Sequence, residues 1–292
     1  MDTQILSGKV VSASVYENLK SRIQNLVSNS IVPGLAVVLV GDDAASQVYV
    51  RNKTKKFTSL GLFSETISLK NETSQKDLLE IVRRLNIDNK YHGILVQLPL
   101  PNHINNDTIV NSINPKKDVD GFHPINLGQL ALGKPLFIPC TPKGIMRILE
   151  FYKIDLSNKH VVVVGRSNIV GRPISILTSL KREYSNATTT ICHSGTKNIS
   201  NYTKQADVVI LALGYPEFLK GSDIKEGAVV IDVGINRVKS INGTSSKLLG
   251  DCEASSIKGV ASYLTPVPGG IGPMTIAMLI ENTIEAAEKE LK

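Results

Sequence analysis

The sequence predicts an α/β protein of two domains, at least one of them built on a parallel sheet. Three observations carry this. Val161-Val162-Val163-Val164 ends at Gly165, and a turn, Gly171 and an apolar helix-compatible run, Ile174–Leu180, follow. Four β-branched residues in a row read as a strand buried on both faces, which is the habit of parallel sheets. Further strand-like runs at Thr188–His193, Ala206–Leu213 and Ala228–Val233 are separated by helix-length gaps. That rhythm is βαβαβ. The third observation is length: 292 residues suffice for one large or two ordinary domains.

In chain order, Ser12–Asn29 has Val15, Leu19, Ile23, Leu26 and Val27 at helical spacing, a face for core packing. Gly34–Val40 is an apolar strand that stops at Gly41-Asp42-Asp43. Ala44–Leu60 reads as a helix carrying Tyr49 and Lys53 four residues apart, so the two share a face. An aromatic ring beside an amine is equipped to hold a flat substrate and move a proton. Arg51, Lys55 and Lys56 are close by, so the same pattern also describes a solvated basic face.

Leu62–Leu69 is the next strand, and Ser74-Gln75-Lys76-Asp77 caps a helix running to about Asn86. His92–Leu98 is a strand whose end carries Gln97, just before Pro99. An amide closing an apolar run must find a hydrogen bond, from the fold or from a ligand. Asn111–Cys140 reads as long and irregular, and long connections inside compact proteins are more often functional. It holds Asp118-Val119-Asp120-Gly121, whose carboxylates serve as turn-formers or as ligands for a cation or a nitrogenous ring. Two are too few for a calcium loop.

Thr141-Pro142 opens a helix, with Thr141 as the cap, Pro142 in the first turn, and Ile145, Ile148, Leu149 and Tyr152 as the buried stripe. The domain junction is placed here. Asn198–Lys204 and Lys220–Lys225 are polar connectors, and Asn242-Gly243 marks a turn. Thr265–Thr275 holds three prolines and three glycines in eleven residues. Such a loop is either a rigid linker or an exposed-backbone lining for a cleft. The last helix, Met274–Lys289, shows Ile276, Leu279, Ile280, Thr283, Ile284 and Ala287 on one face.

The unit beginning at Val161 has the order of a dinucleotide-binding fold: strand, glycine-bearing turn, helix. A helix N-terminus offers free N–H groups and partial positive charge to a pyrophosphate. The spacing of Gly165 and Gly171 departs from G-x-G-x-x-G. The second strand ends in His193-Ser194-Gly195-Thr196, without the acid that meets a free ribose 2′-hydroxyl, and Arg166 follows the first strand. A missing carboxylate and an added guanidinium fit a 2′-phosphate, hence NADP rather than NAD. Gly214-Tyr215-Pro216 and Gly234-Ile235-Asn236 close the later strands.

Composition narrows the class. Hydrophobic residues make up 42% and charged residues 20%, and no apolar run approaches the roughly 20 residues of a membrane helix. The N-terminus lacks a signal-peptide core, and Cys140, Cys192 and Cys252 are odd in number and far apart. A cytoplasmic protein with no disulfide framework, no metal and no membrane partner is expected. The net charge of +7 admits nucleic acid as a partner. The basic residues are dispersed, however, and small polyanions account for them equally well.

Taken together, these motifs resemble the bifunctional methylenetetrahydrofolate dehydrogenase/methenyltetrahydrofolate cyclohydrolase family over essentially the whole chain. The resemblance lies in Tyr49–Lys53, Gly93–Pro101, Lys117–Gly121, Pro139–Gly144, Val163–Pro173 and Thr265–Thr275. The unusual glycine spacing is that family's own form, and Cys252 stands where the family usually has valine. The resemblance implies a folate-binding catalytic domain over 1–140 and 268–292, completed by the C-terminal helix, and a Rossmann-type NADP-binding domain over 141–267. It implies a homodimer that oxidises 5,10-methylenetetrahydrofolate with NADP and hydrolyses the methenyl product to 10-formyltetrahydrofolate in the same cleft.

By that match Lys53 is the catalytic lysine, Tyr49 stacks on the substrate, Gln97 hydrogen-bonds the lysine and Asp120 meets the pterin. Leu98, Pro268, Gly269 and Gly270 line the folate. Gly165, Arg166, Ser167, Ile169, Gly171, His193, Ser194 and Ile235 are cofactor contacts. A lysine with its usual pKa near 10.4 needs a shift of about 3 units to be half neutral at pH 7, more than a neutral Gln97 supplies alone, with burial and the cationic methenyl substrate as further contributors. Lys53 is therefore expected to be largely protonated until the cationic substrate forms. The rival readings are a monofunctional NAD(P)-dependent methylenetetrahydrofolate dehydrogenase, another two-domain NADP enzyme such as a small-acid dehydrogenase, which does not explain Tyr49, Lys53, Gln97 and Asp120 together, and, from another class, a basic nucleic-acid-binding protein.

Overall fold

The computed structural model describes residues 2–239 and 246–291, so the Asn242-Gly243 turn lies outside the described residues. The elements in order are β1 (Gln4–Ile5), α1 (Gly8–Ser28), β2 (Gly34–Val40), α2 (Ala44–Ser59), β3 (Phe63–Leu69), α3 (Gln75–Ile87) and β4 (Gly93–Val96). Then come α4 (Asn106–Ser112), α5 (Pro124–Ala131), α6 (Cys140–Phe151), β5 (His160–Val164), α7 (Gly171–Ser179), β6 (Thr188–Cys192) and α8 (Ser200–Thr203). The chain closes with β7 (Val208–Leu211), β8 (Val229–Asp232), β9 (Asn236–Lys239), β10 (Ser246–Leu249), α9 (Ala254–Ile257), β11 (Tyr263–Leu264) and α10 (Ile271–Glu288).

Two compact units result: Met1–Ser14 with Thr141–Thr275, and Val15–Cys140 with Ile276–Lys292. The first holds a six-stranded sheet in the order β1-β11-β8-β7-β5-β6, parallel throughout, with β9 and β10 as a separate antiparallel pair. Val161–Val164 are fully buried, and their side chains alternate between the two faces of the sheet. The chain leaves β5 for β6 on one side and returns to β7 on the other. This reversal leaves a crevice at the carboxyl end of β5, where α/β sheets bind ligands. β1 was not legible as a strand: it is two residues long and is ordered only by its distant partner, Ile5 pairing with Leu264.

The second unit repeats the device with a parallel sheet ordered β3-β2-β4. All seven residues of β2 are buried, and α3 lays Leu78, Val82 and Leu85 against that core. Ser74 caps α3 as the sequence predicts, accepting from the Asp77 N–H at 3.1 Å.

Several boundaries differ from the sequence reading. Val27 is half exposed, outside the buried stripe of α1. The stretch read as irregular contains α5, which His123 caps and Pro124 opens. Thr141 lies inside α6, which starts at Cys140, and its hydroxyl bonds that of Thr275 at 3.0 Å. The connector Asn198–Lys204 includes the single turn α8. In α10, Ala277–Ile284 are all buried, so the helix is enclosed all round and not on one stripe.

Candidate active site

Helix α2 explains how a lysine comes to be buried. Asp43 caps it, its carboxylate accepting from the Ser46 N–H at 2.7 Å. Val50, Lys53 and Phe57 recur at helical spacing and all face inward, so Lys53 occupies a place on the apolar stripe. Its residual exposure is 3%, which rules out the solvated basic face. Nζ sits 4.2 Å from the centroid of the Tyr49 ring and donates to Gln97 Oε1 at 3.2 Å. Gln97 Nε2 in turn donates to the Leu98 carbonyl at 2.7 Å. The amide closing β4 is thus fixed at both ends. Its oxygen points at the amine, and the carboxyl ends of β2 and β4 lie side by side.

Asp120, half-buried, lies within electrostatic reach of the ammonium. Burial pushes the Lys53 amine below its ordinary range, while Asp120 and, more weakly, Cys140 pull it back. Burial raises the Asp120 carboxyl, and the Lys53 charge opposes that rise. Each group is penalised for being charged and relieved by the other's charge. The sequence reading names burial beside Gln97 as a way to lower the lysine, and burial is here the largest influence on it, acting toward the neutral amine. Asp118 behaves as a turn-former: its carboxylate accepts from the N–H of Phe122 and His123 and from Asn126 Nδ2, at 3.3, 2.8 and 2.7 Å.

A second group of residues lies in the six-stranded unit. Gly165 has φ +135°, and a Cβ there would strike the Ala212 carbonyl of the neighbouring strand end. A Cβ on Gly171 would strike the Gly165 carbonyl. The turn between β5 and α7 therefore closes on itself only because both positions lack side chains. Ser167 Oγ accepts from the N–H of Val170 and Gly171 at 3.1 and 3.3 Å. Arg166, Ser167 and Ile169 project outward. Arg166 Nη1 lies 3.5 Å from His193 Nε2, joining the ends of β5 and β6, and the exposed Ser194 is next in the chain. His193 Nδ1 accepts from the Gly195 N–H at 3.1 Å.

Ile235 is 59% exposed and lines a cavity of about 200 Å³ together with Pro268, Gly269, Gly270, Asp232 and Lys9. The Thr265–Thr275 loop is thus a cavity wall in the six-stranded unit and not a bare linker.

Sequence reasoning missed two buried carboxylates here. Asp232, at the end of β8, accepts from the N–H of Gly234, Asp251 and Cys252 at 2.8 to 2.9 Å. Asp251 accepts from the N–H of Leu213, Gly214 and Tyr215 and from Asn236 Nδ2, at 2.7 to 3.0 Å. The two tie the ends of β7 and β8 together. The signal was present in Val-Val-Ile-Asp232, an acid closing an apolar run as Gln97 does. No group of three or more potential metal-ligating side chains occurs among the described residues, nor any helix long and apolar enough to cross a membrane.

Comparisons with known proteins agree with this geometry. The family model for the tetrahydrofolate dehydrogenase/cyclohydrolase catalytic domain matches residues 6–120, and that for the NAD(P)-binding domain matches 139–291. The bifunctional protein FolD of Acetivibrio thermocellus is 50% identical over 100% of this chain and 99% of its own length. The crystal structure of the FolD enzyme from Campylobacter jejuni superposes with a TM-score of 0.93 at 47% identity, covering 99% of both chains. That of Trypanosoma brucei FolD, complexed with NADP cofactor and inhibitor, gives 0.93 at 34% identity over 100% of this chain and 99% of its own. With Lys53, Tyr49 and Gln97 gathered in one unit and the glycine turn built in the other, the chain belongs to the tetrahydrofolate dehydrogenase/cyclohydrolase family.

Proposed function

We infer that this chain oxidises 5,10-methylenetetrahydrofolate to the methenyl form with NADP and hydrolyses that product to 10-formyltetrahydrofolate. The observation that carries the reading is Lys53: a buried amine over an aromatic ring, bonded to an amide and electrostatically coupled to a carboxylate. Relatives named as bifunctional favour it over a monofunctional dehydrogenase and over a nucleic-acid-binding protein.

The residues present fit the cofactor. The glycine turn brings backbone to the start of α7, and Arg166 stands by the end of β6, where no acid would repel a 2′-phosphate. Gly165, Ser167, Ile169 and Gly171 would hold the pyrophosphate side, Arg166, His193 and Ser194 the 2′-phosphate, and Ile235 an apolar face. NADP, when bound, supplies the acceptor for the hydride that the folate nitrogen lone pair expels. The protein's part in that step is orientation, worth several kcal/mol.

Hydrolysis asks more of the side chains. Tyr49 stacks against the folate ring and Asp120 accepts from the pterin. Gln97 Oε1 holds Nζ in place. Lys53, moved toward neutrality by burial, takes the proton of the water that attacks the methenyl carbon and returns it as the ring opens. Leu98, Pro268, Gly269 and Gly270 line the folate in this reading. By the resemblance the catalytic domain is 1–140 with 268–292 and the cofactor domain 141–267, although Met1–Ser14 and the stretch 268–275 pack within the six-stranded unit. A cytoplasmic homodimer is the assembly the family resemblance supports, and light scattering of the purified chain tests the dimer.

The test is absorbance of purified protein with 5,10-methylenetetrahydrofolate and either NADP or NAD, following reduced cofactor and methenyl product separately. Reduced NADP with little methenyl product is expected. Stoichiometric methenyl accumulation would leave a dehydrogenase alone.

A further inference from the structure

We propose that Asn282, on α10, is a positioning residue for Asp120. The inference rests on the reading that Asp120 meets the folate ring. Asn282 is fully buried in a helix whose neighbouring positions are mostly apolar. A buried amide is costly unless it is bonded, and this one is: Nδ2 donates to the Val119 carbonyl at 2.8 Å and to the Ile138 carbonyl at 3.1 Å. Cys140 Sγ lies 3.7 Å away and itself donates to the Val119 carbonyl at 3.4 Å.

The Val119 carbonyl belongs to the peptide group whose nitrogen is that of Asp120. Fixing that oxygen fixes the plane from which the Asp120 side chain departs. On the other side of Asp120, Gly121 has φ +79°, and a Cβ there would come within 2.8 Å of Pro139 N. The segment 119–121 therefore lies close against 138–140, and the Asn282 amide bonds to both. The regular ladder gives little help, since among the described residues this loop pairs with the sheet through the isolated bridge Ile94–Asp118, with the Val119 side chain packed on Gly93. Asp118 restrains the following turn through Phe122 and His123 but does not touch the Val119 carbonyl. The distance from Asp120 to Lys53, and so the field of the carboxylate on the amine, is set from α10.

The test compares Asn282→Ala and Asn282→Leu with Ile284→Ala, which opens the same helix's packing without removing a donor to the loop. In either Asn282 variant, KM for methenyltetrahydrofolate is expected to rise about tenfold or more, since ångström-scale misplacement costs up to about a hundredfold. The pH at which hydrolysis is half-maximal should fall as the carboxylate's hold on Lys53 weakens. Ile284→Ala should lower Tm and leave both quantities unchanged. A folded Asn282 variant with wild-type KM and pH profile overturns the proposal, as does an equal change in Ile284→Ala.

A second measurement needs no variant. The side-chain amide signals of Asn282 in the wild-type protein should shift when 10-formyltetrahydrofolate binds, and unmoved signals at saturation would overturn the proposal. A wild-type protein that neither oxidises methylenetetrahydrofolate nor hydrolyses the methenyl form would instead defeat the functional reading itself.

Discussion

Lys53 is 3% exposed, and side chains act on it: the Tyr49 ring, the Gln97 amide, the Asp120 carboxylate and, more weakly, Cys140. Arg166 is exposed, and the turn that carries it is shaped by backbone, through two glycines and the Ser167 hydroxyl. The lysine site buries charge and so shifts protonation. The Arg166 turn exposes charge and fixes the main chain. The difference matches two tasks. Moving a proton near neutrality with a lysine or carboxylate requires a perturbed pKa, which burial, a close charge or a hydrogen bond to one protonation state supplies. Holding a phosphate requires N–H groups and a guanidinium that stays charged.

If the two regions divide the work this way, substitutions should separate them. Lys53→Ala should remove the hydrolysis of methenyltetrahydrofolate by about 10²- to 10⁴-fold, the usual weight of a general acid–base. Its circular dichroism should match the wild type. Hydrolysis at the wild-type rate would break the comparison at its stronger end. Arg166→Ala should weaken NADP by about 1.5–3 kcal/mol, the loss of a charged hydrogen bond, and leave NAD affinity and hydrolysis alone. Titration calorimetry with both cofactors reads this. Equal loss for NAD would move Arg166 from the 2′-phosphate to the pyrophosphate.

Gly171→Ala sharpens the backbone side of the comparison. Its methyl group must displace the Gly165 carbonyl, an overpacking cost of about 1–3 kcal/mol. NADP affinity should fall while the protonation behaviour of Lys53 stays as it was. The smallest effect belongs to a residue outside both sites. Ser74→Ala removes the cap of α3 and should cost about 1 kcal/mol of stability, with no change in either activity. Denaturant unfolding and the two rate assays together check it.

The glycine turn was more legible in the sequence than the lysine site, for a physical reason. Four valines, a glycine and a helix are local signals, and the strand they predict is in place. Strand Gly34–Val40 and the Ser74 cap are local in the same sense. Burial of Lys53 is not local. Its neighbours Arg51 and Lys55 argue for solvent, and only the stripe Val50–Lys53–Phe57 hints otherwise. Gln97 announced itself as an amide ending an apolar run, but the residues alone left Asp120 between turn-former and ligand, like Asp118 beside it. Asn282, Asp232 and Asp251 act on chain segments remote in sequence or on backbone groups, which no spacing rule registers. Helix α5 was missed although its His123-Pro124 start is a regular signal, because the acidic turn before it drew the reading toward loop.

The central claim is that hydrolysis runs on a coupled Lys53–Asp120 pair, and the pH dependence of methenyltetrahydrofolate hydrolysis in wild type and Asp120→Asn tests it most directly. A carboxylate stabilises the ammonium, so removing its charge lowers the lysine pKa further. The rate should rise with pH through a midpoint below the ordinary lysine value of about 10.4, and that midpoint should move to lower pH in Asp120→Asn. A midpoint at the ordinary value, or one that does not move, would contradict the account.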